Sequence, residues 1–331
     1  MIQFDVISAA LTEFLSLSGP HGACAHAVTL AVGRPYPTVG RDVIVRRQVA
    51  ADNSDRQDTL DMGLGTQVRL RRLFSHPSGC LFGIAVDHFI GYGDVRSGGL
   101  RSLPQALDRV MTARPDSVTM LPGAARQLWG QFAGQASLII QAGMFTADDR
   151  VRELIATPED AARLGADALA VAIGVRGPYE GSYLRWLTDS VAAAAKIEMP
   201  VIAHIYPRDY SGDVPVIRFV PEEIAWAVRC GVETGVDVIK VGYPGDQAAF
   251  AEIVASAPVP VVVAGGPRTE TIREGLTFTV EAMRAGAVGA VVGRNIWGVD
   301  DIEGVAAAYR AVIHDSATAE QALSSVKGDG T

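Results

Sequence analysis

Gly235-Val-Asp-Val-Ile-Lys-Val-Gly-Tyr-Pro-Gly245 puts a helix stop, a short apolar strand and a glycine-bounded turn into one stretch. Gly235 closes the helical pattern before it, Val236 to Val241 form a nearly continuous apolar run, and Gly242 to Gly245 break that run. Apolar residues at successive positions suit a strand buried on both faces, as in a parallel sheet covered by helices. The phrases Gly165-Ala-Asp167 and Gly286-Ala-Val288 repeat the junction before two further runs. Outward from this stretch the strand candidates are Leu81–Asp87, Ser117–Leu121, Ser137–Gln141, Ala168–Gly174, Val201–Tyr206, Val236–Val241, Val261–Ala264 and Val288–Val292. Helix-like patterns lie between them at Pro104–Ala113, Pro158–Leu164, Tyr183–Ile197, Pro221–Gly235, Ala248–Ser256 and Thr271–Gly286. Several start on Pro in the first turn and stop at Gly. Eight such units read as a (β/α)₈ barrel over residues 62–331, preceded by an N-terminal extension, residues 1–61. A doubly wound open sheet would need a glycine-rich dinucleotide turn after its first strand, and Asp87-His-Phe-Ile-Gly-Tyr-Gly93 is not one.

Composition narrows the class. Of 331 residues, 48% are hydrophobic and 20% charged, as in a globular enzyme with a large core. A net charge of −8, with no basic cluster, argues against a nucleic-acid partner. No apolar run is long enough to span a membrane, and no Lys or Arg precedes Arg34, so neither a membrane partner nor a secretory signal is expected. The cysteines, Cys24, Cys80 and Cys230, are scattered and odd in number, as for reduced cytoplasmic thiols. Of 29 basic residues only Lys196, Lys240 and Lys327 are lysines. A lysine inside an apolar strand is therefore set apart from the arginines that carry the other positive charges.

Active sites of such barrels form at the C-terminal ends of the strands. Lys240 ends its apolar run there. A solvated ammonium has a pKa near ~10.4, and burial disfavours that charged form. The neutral amine that results attacks ketones and aldehydes to give an iminium. Read alone, Lys240 is a nucleophile, a structural ion-pair lysine or a phosphate ligand. Asp87 ends the first strand, where a carboxylate can orient a hydroxyl, pair with Lys240 or shuttle protons. His88 follows directly, and strand alternation turns it away from Asp87, so it reads as a supporting residue. Tyr206 ends the fifth strand as a candidate proton carrier. His204, two residues deeper on the same face, either supports the site or packs in the core.

The last two strands end in Ala264-Gly-Gly-Pro-Arg268 and Gly293-Arg-Asn-Ile-Trp297. Gly265, Gly266 and Gly293 let backbone N–H groups approach a ligand, with Arg268 and Arg294 adding charge, so these turns read as a phosphate site. No paired-Cys or His-x-x-x-His spacing suggests a metal, and no cofactor motif is present.

In order along the chain, Met62-Gly-Leu-Gly-Thr-Gln-Val-Arg-Leu-Arg-Arg-Leu-Phe74, Asp87-His88, Tyr206-Pro-Arg208, Asp237-Val-Ile-Lys240, Ala264-Gly-Gly-Pro-Arg-Thr269 and Gly293-Arg-Asn-Ile-Trp297 resemble the archaeal-type class I fructose-bisphosphate aldolase family, of the DeoC/LacD-like aldolases. The resemblance covers roughly residues 62–326. It implies that Lys240 is the Schiff-base lysine, Asp87 the active-site aspartate and Tyr206 the acid–base tyrosine. It also implies that in the bisphosphate aldolase a tyrosine ends the fourth strand, where this chain has Val175. That departure points towards the 2-amino-3,7-dideoxy-D-threo-hept-6-ulosonate synthase branch. Two more departures, Phe89 after Asp87-His88 and Leu121-Pro122 ending the second strand, bear on the acceptor pocket. The expected function is a class I aldolase or transaldolase acting on a phosphorylated ketose and an aldehyde, without cofactor, in a cytoplasmic homo-oligomer. Fructose-bisphosphate aldolase and a thiolase-type acetyltransferase to coenzyme A are the alternatives.

Overall fold

The computed structural model describes residues 62–88, 99–146 and 151–327, so the expected N-terminal extension and Cys24 lie outside the described residues. Eight parallel strands carry the fold: β1 Leu81–Ala85, β2 Ser117–Met120, β3 Ser137–Gln141, β4 Ala168–Val175, β5 Val201–Asp209, β6 Val238–Val241, β7 Val261–Ala264 and β8 Gly289–Val292. Each pairs with the next, and β8 pairs with β1, Leu81 lying against Gly289, so the sheet closes on itself. This is the (β/α)₈ barrel that the alternation of short apolar runs and helical patterns predicts.

The runs look continuous because each strand is buried twice. One face packs on the surrounding helices, in a cluster that includes Phe82, Leu107, Tyr183, Phe250 and Tyr309. The other fills the lumen with Leu81, Ile139, Ala170, Ile202, Val238 and Val262. Fully burying a Val, Leu or Ile side chain contributes about 1.5–3 kcal/mol. A polar group in the lumen therefore interrupts a strongly favoured apolar packing.

Helix α1, Leu64–Leu73, was not read from the sequence; its last residue Leu73 and the following Phe74 join the lumen cluster with Leu81 and Val288, at the N-terminal ends of the strands. Within the barrel, the helix expected at Tyr183–Ile197 runs over Glu180–Ala195. Two short antiparallel additions were also not foreseen. Gly143–Phe145 pairs with Arg152–Leu154, and Val216–Ile217 pairs with the end of β5. Both lie beyond strand ends, where they build the walls of the site described next. Cys80 and Cys230 are free thiols. Among the described residues no helix is long and apolar enough to cross a membrane.

Candidate active site

Alternation along β6 sets Lys240 one lumen-facing step beyond Val238. The same level of β5 is occupied by His204, which pairs with Lys240 in register. The lumen thus changes there from an apolar filling to a polar layer. Lys240, 5% exposed, His204, 2% exposed, and Gln141, 6% exposed, are enclosed beneath a cavity that reaches the C-terminal ends of the strands.

The cavity wall carries Asp87, His88, Tyr206 and Arg208 together with Lys240. Phe145, from the hairpin beyond β3, packs edge-on against Tyr206 at 5.9 Å and closes one side. Pro215 and Ile217 line the cavity beyond β5. Asp87 is 11% exposed at its side chain and is held at two points. His88 Nδ1 lies 3.2 Å from Asp87 Oδ1. Gln141 Nε2 donates to Asp87 Oδ2 at 3.1 Å and lies 3.1 Å from His204 Nδ1.

These contacts set the charges. Burial lowers Lys240 to about 8, against the attraction of Asp87, which raises it. A neutral amine is thereby accessible near physiological pH. Burial alone would raise the Asp87 carboxyl; the hydrogen bond from His88, with the positive charge of Lys240, reverses that and holds it well below the usual carboxylate range. Burial also pushes His204 well below its ordinary value, and Lys240 pushes the same way. The layer therefore combines an amine with an accessible free base, a fixed carboxylate and a neutral imidazole. It can bind and attack a carbonyl while orienting an adjacent hydroxyl.

The structure brings Lys240, Asp87, Tyr206, His204 and His88 into one cavity. His88 does not turn away from Asp87, because β1 ends at Ala85 and strand alternation does not extend to residues 87 and 88. The His88 ring meets Trp297 edge-on at 5.1 Å, and Trp297 Nε1 donates to the Ala85 carbonyl at 2.9 Å. Gln141 was read only as the end of an apolar strand. Its signal was a polar side chain at a C-terminal strand end. Val175 sits in the cluster between strands and helices, so its departure from the family pattern does not touch the cavity.

The turn glycines do not themselves line the cavity around Lys240, although Gly293 abuts His88, which does. Gly266 has φ +71, and a Cβ built on it meets nothing within 4 Å, so its backbone faces open space. Arg294 Nη2 donates to the Gly266 carbonyl at 3.2 Å, joining the turns after β7 and β8. Asn295, also missed in the sequence, donates to the carbonyls of Gly265 at 2.7 Å and Pro267 at 3.1 Å. The Gly265 N–H is not directed at a ligand, since it donates to the Val291 carbonyl at 3.1 Å as an extension of the sheet. Arg268 is exposed beside this turn. Gly293 also makes room for a ring: a Cβ there would lie 2.5 Å from His88 Cε1. Among the described residues no group of three or more His, Cys, Asp or Glu is placed to hold a metal ion.

The sequence profile described as DeoC/LacD family aldolase matches residues 82–298. The chain is 31% identical over 254 residues to a 2-amino-4,5-dihydroxy-6-oxo-7-(phosphonooxy)heptanoate synthase of Streptomyces griseus, covering 76% of this chain and 91% of that protein. It is 32% identical over 262 residues to a 2-amino-3,7-dideoxy-D-threo-hept-6-ulosonate synthase of Halobacterium salinarum, covering 78% and 95%. The solved structure of an archaeal fructose-1,6-bisphosphate aldolase, its catalytic lysine covalently bound to the carbinolamine intermediate of the substrate, matches with a TM-score of 0.67 at 28% identity, covering 76% and 99%.

Proposed function

The chain belongs to the DeoC/LacD family of aldolases, and from that premise we propose that it works through an iminium on Lys240, with a phosphorylated ketose as donor and an aldehyde as acceptor. The observation that carries this reading is the enclosure of Lys240 beside an ionised Asp87, with the amine lowered to about 8. The names of the two synthases favour a transaldolase of the 2-amino-3,7-dideoxy-D-threo-hept-6-ulosonate synthase kind as the specific activity.

In the cleavage direction, the Lys240 amine attacks the ketone carbon of the donor. The resulting carbinolamine loses water to give the iminium. A proton leaves the hydroxyl two carbons away, and the carbon–carbon bond electrons flow into the iminium as the aldehyde departs. The enamine left on Lys240 adds to an acceptor aldehyde by the reverse electron flow, or takes up a proton, and water then releases the product. Tyr206 is assigned the proton transfers at the cavity wall. Asp87 is too weak a base for that task; as a fixed carboxylate it orients a donor hydroxyl and balances the cationic iminium. The phosphate is assigned to the turns after β7 and β8, around Gly266, Gly293 and Arg294, with Arg268 at the rim. Gly265 contributes there by shape and not through its N–H. The reading is tested by borohydride trapping with dihydroxyacetone phosphate, which should leave one reduced adduct per chain on Lys240; an enzyme active in aldol cleavage with no adduct there refutes it.

A further inference from the structure

Beyond His204, the lumen face of β5 presents Tyr206 and then Arg208, in steps of about 7 Å along the strand. Arg208 is 2% exposed although it lies near the end of its strand. Its guanidinium carbon lies 4.9 Å from the Phe145 ring centre and 5.4 Å from that of Tyr210. Gly174 on β4, opposite Tyr206 in register, makes room for the stem: a Cβ there would lie 2.9 Å from Arg208 Cδ. Among the described residues lining the cavity, Arg208 is the one guanidinium, and its neighbours on the wall include Leu121, Phe145 and Ile217, which are apolar.

We infer that Arg208 binds an anionic group on the aldehyde half of the substrate and so selects the acceptor. The inference rests on the iminium reading, because Lys240 fixes where the donor carbonyl lies. The Lys240 backbone pairs with His204, two lumen-facing steps before Arg208 on β5, and Lys240 and Arg208 line the same cavity. The chain leaving a carbonyl carbon bonded to Lys240 past Tyr206 would bring a carboxylate or phosphate a few carbons away within reach of the guanidinium. Aromatic rings over its faces direct the contact of a guanidinium with a planar anion to its in-plane N–H groups. Apolar walls strengthen such a charge-assisted contact by excluding water. Gly266, beyond β7, is not a wall residue of this cavity, so the two anions of a doubly charged substrate would be held at separate places.

The test is aldol condensation of dihydroxyacetone phosphate with succinic semialdehyde, glyceraldehyde 3-phosphate and neutral glyceraldehyde, on wild type, Arg208→Gln and Arg208→Lys. Wild type should prefer an anionic acceptor, and the ratio of its kcat/KM to that of glyceraldehyde should fall about 100-fold in Arg208→Gln. The loss should be about 10-fold in Arg208→Lys, which keeps the charge in the slot but loses the two-pronged contact. Whichever of succinic semialdehyde and glyceraldehyde 3-phosphate loses more identifies the anion as carboxylate or phosphate. An unchanged ratio in Arg208→Lys and Arg208→Gln, or a wild type indifferent to acceptor charge, overturns the inference. Borohydride trapping on the same samples separates the two claims. An adduct on Lys240 with unaltered acceptor preference refutes Arg208 alone, whereas no adduct in active wild type refutes the lysine reading on which it rests.

Discussion

Asp87 and His88 are consecutive in the chain, yet both side chains face one cavity and meet at 3.2 Å. That contact helps keep Asp87 ionised beside the Lys240 amine against the pull of burial. The two opposite influences on Lys240, burial lowering it and Asp87 raising it, can therefore be separated by experiment.

The first consequence is a pH profile. Below about 8 Lys240 carries a proton, and only the neutral amine attacks a carbonyl. The rate of imine trapping at low ketone concentration should rise about tenfold per pH unit up to that point and level off above it. A rate independent of pH between about 6 and 9 would show that deprotonation of Lys240 does not control the step.

Asp87→Asn should move that inflection down. Asp87 is the influence that raises Lys240, so removing its charge leaves burial unopposed and favours the neutral amine at lower pH. Turnover should nevertheless fall, since the carboxylate that faces the iminium is gone. The inflection is read from trapping rates and turnover from steady-state cleavage; an upward shift contradicts the electrostatic account.

Gln141 joins Asp87 to His204. Gln141→Leu fills a similar volume but leaves both partners without that contact in a buried place. The expected loss is about 1–3 kcal/mol of stability by urea unfolding, with kcat reduced more than KM because Asp87 is no longer held. A stability change below about 0.5 kcal/mol would make the bridge incidental.

Binding and chemistry should fail separately. Tyr206→Phe removes one hydroxyl and little volume, so kcat should drop by ~10²–10⁴ with KM preserved. Gly266→Asp would set a carboxylate at the proposed phosphate place and force a side chain onto a backbone with φ +71. It should raise KM for a phosphorylated ketose, while trapping with unphosphorylated dihydroxyacetone persists. Normal turnover by Tyr206→Phe would move the proton carrier elsewhere.

Much of the barrel was legible because strands buried on both faces leave continuous apolar runs, and because Gly165, Gly235 and Gly286 mark three of the returns from helix to strand. Lys240 stood out for a related reason: a rare residue type interrupted a run that packing would keep apolar. The neighbours of Lys240 were harder to read. His88 was assigned to the wrong side by extending alternation past Ala85, where the strand ends. Gln141 is one polar residue at a strand end, and only the fold brings it between Asp87 and His204. Val175 packs in the core cluster and not on the cavity wall, yet the branch it pointed to is that of the synthase relatives. Glycines, too, conceal their reasons. Gly293 reads as an anion turn, yet its missing Cβ is what admits the His88 ring.

The most direct measurement is peptide-level mass spectrometry of the enzyme reduced with borohydride in the presence of dihydroxyacetone phosphate. The account predicts one adduct per chain, on the peptide containing Lys240 and absent in Lys240→Met, with cleavage and condensation lost in step with labelling. Labelling of Lys196 or Lys327 instead, or full aldolase activity in Lys240→Met, would contradict it.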